Sequence, residues 1–308
     1  MAAIWTRINT TLLLLVLRAL LAVIGLLATG VRGGPLDPPG APGATDSVKL
    51  PGTPISSIPY TITESGSYYL TRNLTAVSGD GITINADFVT LDLMGFALTG
   101  PGSGITSNPA TTRRNNAIRN GIIRGWAVGV DTRNFIRSTY EDLRVTDSLG
   151  AGLIIGSGNS VLRVMAAYNL YGLVTFQRDD ALGGSVADSN FSRNDFSGIE
   201  IAANNIWVRD SVIDSNGRAG IYLNASANAS YNQITDNRIS GNGGGLVPMG
   251  GVYISGPGAN ANLIARNVLL GNAPAAVTDV VANGNRIGPF VGGDTSIAGS
   301  NPWSNVVY

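Results

Sequence analysis

A short pattern that recurs along most of the chain constrains its fold more than any other feature. The pattern is a glycine followed by two apolar residues that flank one variable residue. Full copies begin at Gly81, Gly152, Gly198, Gly220 and Gly251, and shorter ones at Gly104, Gly129 and Gly172. Alternate residues of a strand point to the same face. The pattern therefore predicts short strands with one buried face, and its recurrence predicts a solenoid.

Two more alternating elements follow each copy of the pattern. The second is represented by Val89–Leu93 and Ile206–Val208, and the third by Ser211–Asn216. Each strand is expected to pair with its equivalent one coil later, at a spacing of about 4.8 Å. The sequence predicts an all-β fold, a parallel β-helix of roughly 8 to 10 coils with capped ends, because open ends would expose unpaired strand edges.

Small polar residues form two columns in the aligned coils. Ser189, Ser211, Asn237 and Asn267 fall between the second and third strands, and Asn194, Asn216, Asn242 and Asn272 precede the glycine turn. The chain bends at the first column, and a bend needs a residue that tolerates the left-handed backbone conformation. Polar side chains that stack in register from coil to coil can form a ladder of hydrogen bonds. We expect turn or ladder roles for these residues rather than ligand binding. Replacing Asn216 by alanine is then expected to cost about 1 to 2 kcal/mol, as one lost turn bond.

From Tyr60 to Tyr308 the chain resembles the pectin-lyase-like superfamily of right-handed parallel β-helix proteins, and within it uncharacterised secreted bacterial members. The resemblance rests on three segments, Ser65–Thr75, Val89–Phe96 and Asn301–Asn305. It implies a right-handed solenoid in which Tyr60–Leu74 covers the first coil and Phe290 with Trp303 covers the last. It implies no particular activity, because one fold carries many functions.

The N-terminal region predicts export. Residues 1–30 contain Arg7, an apolar stretch from Leu12 to Leu27 and small residues before Val31, as in a secretory signal peptide. Arg18 interrupts the stretch, which disfavours a stable membrane span in the mature form; an uncleaved anchor and a misassigned start are the alternatives. Residues 31–59 are rich in proline and glycine and predict a linker, so the β-helix domain is expected at 60–308. The expected location is secreted, periplasmic or at the cell surface.

Composition excludes several kinds of chemistry. The chain has no cysteine and no histidine, and Lys49 is its only lysine. Thiolate and imidazole catalysis are therefore excluded, and the histidine-containing motifs of pectin-active hydrolases cannot be complete. After residue 30 the chain has 18 basic and 20 acidic residues, a balance that argues against a nucleic-acid partner held by bulk charge.

The variable residue of the repeated pattern suggests where a ligand would bind. It should point to solvent, and in three successive coils it is Glu200, Tyr222 and Tyr253. Two stacked tyrosines are a platform for sugar rings, with Arg178 as a further ligand-binding candidate. Glu200 with Asp179 or Asp180 could act as a catalytic acid/base pair. The alternative is a tyrosine pair that only stabilises the sheet.

A second acidic set, Asp188, Asp210 and Asp236, occupies equivalent positions in three coils. Calcium would suit such carboxylates, but Arg209, Arg238 and Arg266 are near, and we favour neutralisation by arginine and expect no cofactor. Three functions remain open. They are a carbohydrate-binding or adhesive module, a polysaccharide lyase or glycoside hydrolase, and a structural rod without a small ligand.

Overall fold

The computed structural model describes residues 51–178, 183–280, 284–292 and 302–307. Their elements are almost entirely strands. In the first part of the chain these are β1 (Thr53–Ile55), β2 (Tyr60–Ile62), β3 (Gly66–Leu70), β4 (Leu74–Thr75), β5 (Ile82–Ile84), β6 (Val89–Asp92), β7 (Ala97–Thr99), β8 (Ser103–Thr106), β9 (Arg113–Arg114), β10 (Ala117–Arg124), β11 (Val128–Thr132), β12 (Phe135–Ile136), β13 (Thr139–Thr146), β14 (Ala151–Gly156), β15 (Ser160–Leu162) and β16 (Met165–Ala167).

The second part contains β17 (Tyr171–Phe176), β18 (Gly184–Ala187), β19 (Asn190–Ser192), β20 (Ile199–Ala202), β21 (Ile206–Arg209), β22 (Val212–Asp214), β23 (Ala219–Leu223), β24 (Gln233–Thr235), β25 (Arg238–Ser240), β26 (Gly250–Ile254), β27 (Leu263–Ala265), β28 (Val268–Leu270), β29 (Val277–Asp279), β30 (Arg286–Ile287), β31 (Phe290–Gly292) and β32 (Asn305–Val307). A short 3-10 helix, Ala225–Ala227, follows β23.

Within the described residues, the strands stack in parallel into a β-solenoid of ten coils. One sheet, the first sheet, takes one strand from each coil, in the order β2, β5, β8, β11, β14, β17, β20, β23, β26 and β29. The second and third strands of the coils, which form the second and third columns, join in a sheet of twenty strands. The predicted all-β solenoid of 8 to 10 coils is confirmed.

The alternation of the repeated pattern explains the core. Ile199 and Ile201 of β20 are fully buried, whereas Glu200 between them points outward. The register places Ile199 against Ile221, so like side chains stack from coil to coil. The glycine before each such strand is required by close approach of the backbone. A Cβ on Gly198 would lie 2.8 Å from the carbonyl oxygen of Gly220, a contact too short for any side chain.

The bend between the second and third columns differs in one detail from the expectation. The left-handed residues are Asp188, Asp210, Asp236 and Arg266, with φ between 50° and 62°. Each precedes the small polar residue for which that conformation was expected. Ser189, Ser211, Asn237 and Asn267 are buried instead, because their side chains accept the backbone N–H of the equivalent residue one coil earlier.

The asparagines before the glycine turn form a continuous ladder that is buried except at Asn272, its half-buried last member. Asn169, Asn194, Asn216, Asn242 and Asn272 follow one another in successive coils. Within each neighbouring pair, both the backbone N–H and the Nδ2 of the earlier residue donate to the Oδ1 of the later one. The expected ladder role is confirmed, and the ladder ties adjacent coils together inside the core.

The first coil is built from the segment that was expected to cover it. Tyr60–Leu74 supplies β2, β3 and the start of β4, and β1 pairs beyond them with β3. Ile55 of β1 is fully buried. The solenoid therefore includes part of segment 31–59, whereas residues 1–50, with the expected signal peptide, lie outside the described residues.

The last coil ends on paired strands. β32 pairs with β28 on one side and with β31 on the other. Phe290 and Trp303, which were expected to cover this end, are each 51% exposed. In the part of the chain that the structure describes, no helix has the length and apolar character needed to cross a membrane.

Candidate functional site

The outward residues of the first sheet change in character along the solenoid. In register order they are Thr61, Thr83, Thr106, Asp131, Ile154, Val174, Glu200, Tyr222, Tyr253 and Thr278. The early coils present threonine, and the later coils present a carboxylate followed by two aromatic rings. The register thus brings Glu200, Tyr222 and Tyr253 side by side, as the spacing in the sequence indicated.

Tyr222 and Tyr253 form one continuous aromatic surface, the tyrosine platform. Their ring centroids are 5.8 Å apart and their planes are inclined by 34°. Both side chains are half-buried. The next outward residue, Thr278, is smaller than either ring. The platform is therefore bounded by a carboxylate at one end and by a small side chain at the other.

The carboxylate of Glu200 is held by the turn that follows β23. Asn224 Nδ2 donates to Glu200 Oε1 at 2.9 Å. The Oδ1 of Asn224 accepts the backbone N–H of Ser226 at 3.0 Å and so caps the short 3-10 helix. Because Asn224 is fixed at both ends of its amide, Glu200 has a defined orientation beside Tyr222.

An aromatic and arginine border lies next to Glu200. The rings of Tyr171 and Phe196 meet edge to face at 5.1 Å, and the guanidinium of Arg218 lies 4.6 Å from the centre of the Phe196 ring. Burial raises the pKa of Tyr171, and the negative charge of Glu200 raises it further, whereas Arg218 opposes the shift. Tyr171 and Arg218 therefore share the electrostatic environment of Glu200.

Sequence reasoning missed this border. Phe196 and Arg218 lie in the turns that lead into β20 and β23, and turns carry no period that would mark their side chains. Tyr171 stands directly before the glycine of a shorter copy of the pattern. The available signal was an aromatic or basic residue one or two positions before the glycine of the repeated pattern.

Arg178 forms its hydrogen bonds with residues that lie outside the tyrosine platform. Its Nη2 donates to Thr112 Oγ1 at 3.0 Å, and its backbone N–H donates to Ser157 Oγ at 3.0 Å. Both partners belong to earlier coils, whereas Tyr222 and Tyr253 belong to later ones. Its role in ligand binding stays a prediction. Asp179 and Asp180, the expected partners of Glu200, lie outside the described residues.

Two members of the second acidic set are paired with arginine. Arg209 Nη1 lies 2.6 Å from Asp210 Oδ2. Arg266 donates to both oxygens of Asp236, at 2.7 and 2.5 Å, and its hydrogen bonds hold the pKa of that carboxyl below its usual range. Within the described ranges, no group of three or more acidic side chains is arranged to hold a metal ion.

Comparison with known proteins identifies the fold. A protein-family model described as right handed beta helix region matches residues 103–269, more than half of the chain. No curated protein sequence matches significantly. The A-module of Azotobacter vinelandii mannuronan C-5 epimerase AlgE6 is 17% identical, with a TM-score of 0.59 over 84% of this chain and 78% of that one.

Two further solved structures extend the likeness. The A-module of Azotobacter vinelandii mannuronan C-5 epimerase AlgE4 is 16% identical, with a TM-score of 0.51 over 77% of this chain and 75% of that one. The Dettilon tailspike protein is 9% identical, with a TM-score of 0.50 over 82% of this chain and 60% of that one. At these identities the likeness concerns the fold alone.

Proposed function

This chain belongs to the right-handed β-helix family, and we propose that it is an exported, polysaccharide-binding member whose binding surface is the outer face of the first sheet. The observation that carries the proposal is the register of Glu200, Tyr222 and Tyr253 in three successive coils. Aromatic surface covers the apolar faces of sugar rings, and a carboxylate accepts hydrogen bonds from their hydroxyl groups.

The geometry of the solenoid supports an extended ligand. Parallel strands repeat along the solenoid axis at about 4.8 Å, so their outward side chains form a straight row. The row continues from Glu200 to Thr278, with Tyr171 and Arg218 at its border. A chain of linked sugars can contact such a row at several points. The likeness to modules named as mannuronan C-5 epimerases supports a polysaccharide as the class of ligand.

The second part of the proposal is that the protein is exported. The charged start, apolar stretch and small residues of segment 1–30 are typical of a secretory signal peptide. A signal of this kind would deliver the solenoid to the compartment in which extracellular or envelope polysaccharides are found. Mass measurement of the protein recovered from the culture medium and the periplasm would locate the cleavage site, and an intact Met1 in an exclusively cytoplasmic protein would contradict export.

The binding surface is tested by a double substitution, Tyr222→Ala with Tyr253→Ala. Affinity electrophoresis against a panel of acidic and neutral polysaccharides should show binding by the wild type and none by the double variant. Thr83→Ala with Thr106→Ala is the matched control, because these residues are adjacent in the same outward row at its other end. Unchanged affinity in the tyrosine variant, for a polysaccharide that the wild type binds, would eliminate this surface.

Product analysis separates binding from catalysis. The same incubations are assayed for new reducing ends and for unsaturated uronates, and binding without either product is the expected result. Release of product by the wild type, lost in Glu200→Gln with affinity retained, would instead assign a lyase or hydrolase in which Glu200 is catalytic. A wild type that binds no member of the panel would favour a structural rod.

A further inference from the structure

A groove lies on a different face of the solenoid, across the second column in its last coils. Its volume is about 640 Å³, and its lining includes Asn205, Tyr231, Gln233, Leu263, Arg286 and Trp303. Small-ligand sites of roughly 300 to 1,000 Å³ combine apolar and aromatic walls with a few polar groups. We propose that this groove is a second glycan site, which binds an acidic oligosaccharide through a sugar carboxylate independently of the tyrosine platform.

The floor of the groove is formed by one outward row of the second column. On its floor, Gln233, Leu263 and Arg286 are partners in register. In the neighbouring outward row, Arg209 is followed by Thr235 and then by Ala265, both of which are buried. The open floor of the groove is therefore the row of Gln233, Leu263 and Arg286, and the row beside it is closed.

Two aromatic rings border the floor at opposite ends of its strands. Tyr231 precedes β24 in a left-handed turn, with φ of 60°, and is 61% exposed. The equivalent turn residue one coil later is Ala261, which leaves space beside the ring. Trp303 lies at the other end, 51% exposed, with its carbonyl group against Gly288. A ligand in the groove would therefore lie between two aromatic walls.

Trp303 is held in place by an ion pair. The guanidinium of Arg266 lies 5.3 Å from the centre of the indole ring, and Arg266 also donates to both oxygens of Asp236. A cation over an aromatic face is attracted to it, most strongly for tryptophan. Because Asp236 fixes Arg266, one face of Trp303 is occupied by protein and the wall is preorganised before a ligand arrives.

Charge selects the class of ligand. Arg286 is exposed and is the one charged residue among the described residues that line the groove. A guanidinium binds a carboxylate through two parallel N–H donors, a match that an uncharged sugar does not offer. Gln233 and Asn205 add amide groups suited to hydroxyls. Aromatic walls, amides and one arginine together fit a short oligosaccharide that contains uronic acid.

The test is isothermal titration of the purified protein, in the form that the cell produces, with trigalacturonate and with trimannuronate. Maltotriose is the neutral probe. Tighter binding of an acidic trisaccharide than of maltotriose is expected. Arg286→Gln should weaken the acidic interaction at least tenfold. Arg238→Gln is the matched control, because Arg238 is an exposed arginine on the third column, outside the groove, and it should leave affinity unchanged. Tyr231→Asn, which keeps a residue suited to the left-handed turn, should weaken binding severalfold.

The two glycan sites are separated by a crossed comparison. The variant with Tyr222→Ala and Tyr253→Ala should retain the component of acidic binding that Arg286→Gln removes, whether or not the tyrosine platform binds polysaccharide. The proposal is overturned if neither acidic trisaccharide binds, if maltotriose binds as tightly, or if Arg286→Gln has no larger effect than Arg238→Gln. It is also overturned if the platform variant removes the Arg286-dependent component.

Discussion

Replacement of Asn216 by alanine tests how the coils are tied together. Asn216 is fully buried and bonds to both neighbouring coils. Its Oδ1 accepts the backbone N–H and the Nδ2 of Asn194. Its Nδ2 donates to Phe191 O at 3.0 Å and to Asn242 Oδ1 at 2.9 Å. The substitution removes all four side-chain bonds at once, whereas the bond from its own backbone N–H to Asn242 can persist.

The cost follows from which groups lose their partner. The buried N–H of Asn194 loses its acceptor, and an unsatisfied buried group costs about 1 to 3 kcal/mol. The Nδ2 of Asn194 keeps its bond to Ala166 O, Asn242 Oδ1 keeps one donor, and Phe191 O lies in the paired strands β19 and β22. These three groups lose only the net value of a bond, about 0.5 to 1.5 kcal/mol each. The four lost bonds together give about 2.5 to 7.5 kcal/mol, more than the sequence alone suggested.

Urea denaturation followed by circular dichroism and by tryptophan fluorescence measures the change. Coincidence of the two transitions establishes that a single free energy of unfolding is defined, which a repeat protein need not satisfy. Asn190→Ala is the control, because Asn190 lies in the same coil as Asn194 and its buried side-chain oxygen has no partner among the described residues. A loss in Asn216→Ala no larger than in the control would refute the ladder as a source of stability.

Three further outcomes are expected. Ile221→Asp should lower the free energy of unfolding by several kcal/mol, because it places a carboxylate in a fully buried stack without a partner; a loss under about 1 kcal/mol in urea titration would show that the inward face is misassigned. Tyr140→Phe should cost about 1 to 3 kcal/mol, because the buried Thr132 hydroxyl, 2.5 Å from the Tyr140 hydroxyl, loses its partner; no loss in thermal unfolding would contradict this. Arg266→Gln should raise the depressed pKa of Asp236, because the carboxylate loses its hydrogen bonds to Arg266. The native pair stabilises the fold by at most about 1 kcal/mol, because both side chains are partly exposed. This stabilisation should be present above about pH 4 and should be lost as the pH falls through the lowered pKa of Asp236. Equal differences between wild type and variant at pH 6 and pH 2.5 would argue against that linkage.

The sequence predicted those elements whose residues recur at a fixed spacing along the chain. The pattern at Gly198–Ile201 encodes a strand locally, and its recurrence encodes the stack, so the solenoid and the row of Glu200, Tyr222 and Tyr253 could be read directly. Features that do not recur at a fixed spacing were predicted less accurately. Asp188 rather than Ser189 takes the left-handed conformation, because both residue types tolerate it and only packing of the side chain decides which one is buried.

The proline-rich segment before Tyr60 shows how context overrides composition. Pro54 lies in β1, opposite Tyr69 of β3. Proline lacks the N–H that an inner strand needs, but it is tolerated in an edge strand, where one side has no partner strand. Composition predicted a linker because it cannot report that this segment lies at the end of the sheet.

The sequence by itself determined the coil, the polar ladders and the outward row of the first sheet, because each depends on residues at fixed spacing along one chain. Tertiary structure alone decided the surroundings of Glu200 and the groove beside Arg286. Phe196 and Arg218 meet between the equivalent turns of two successive coils, and Trp303 reaches Arg266 from 37 residues away along the chain. Contacts of this kind depend on how separate coils stack and on where the chain returns at its end, and no local pattern encodes that distance.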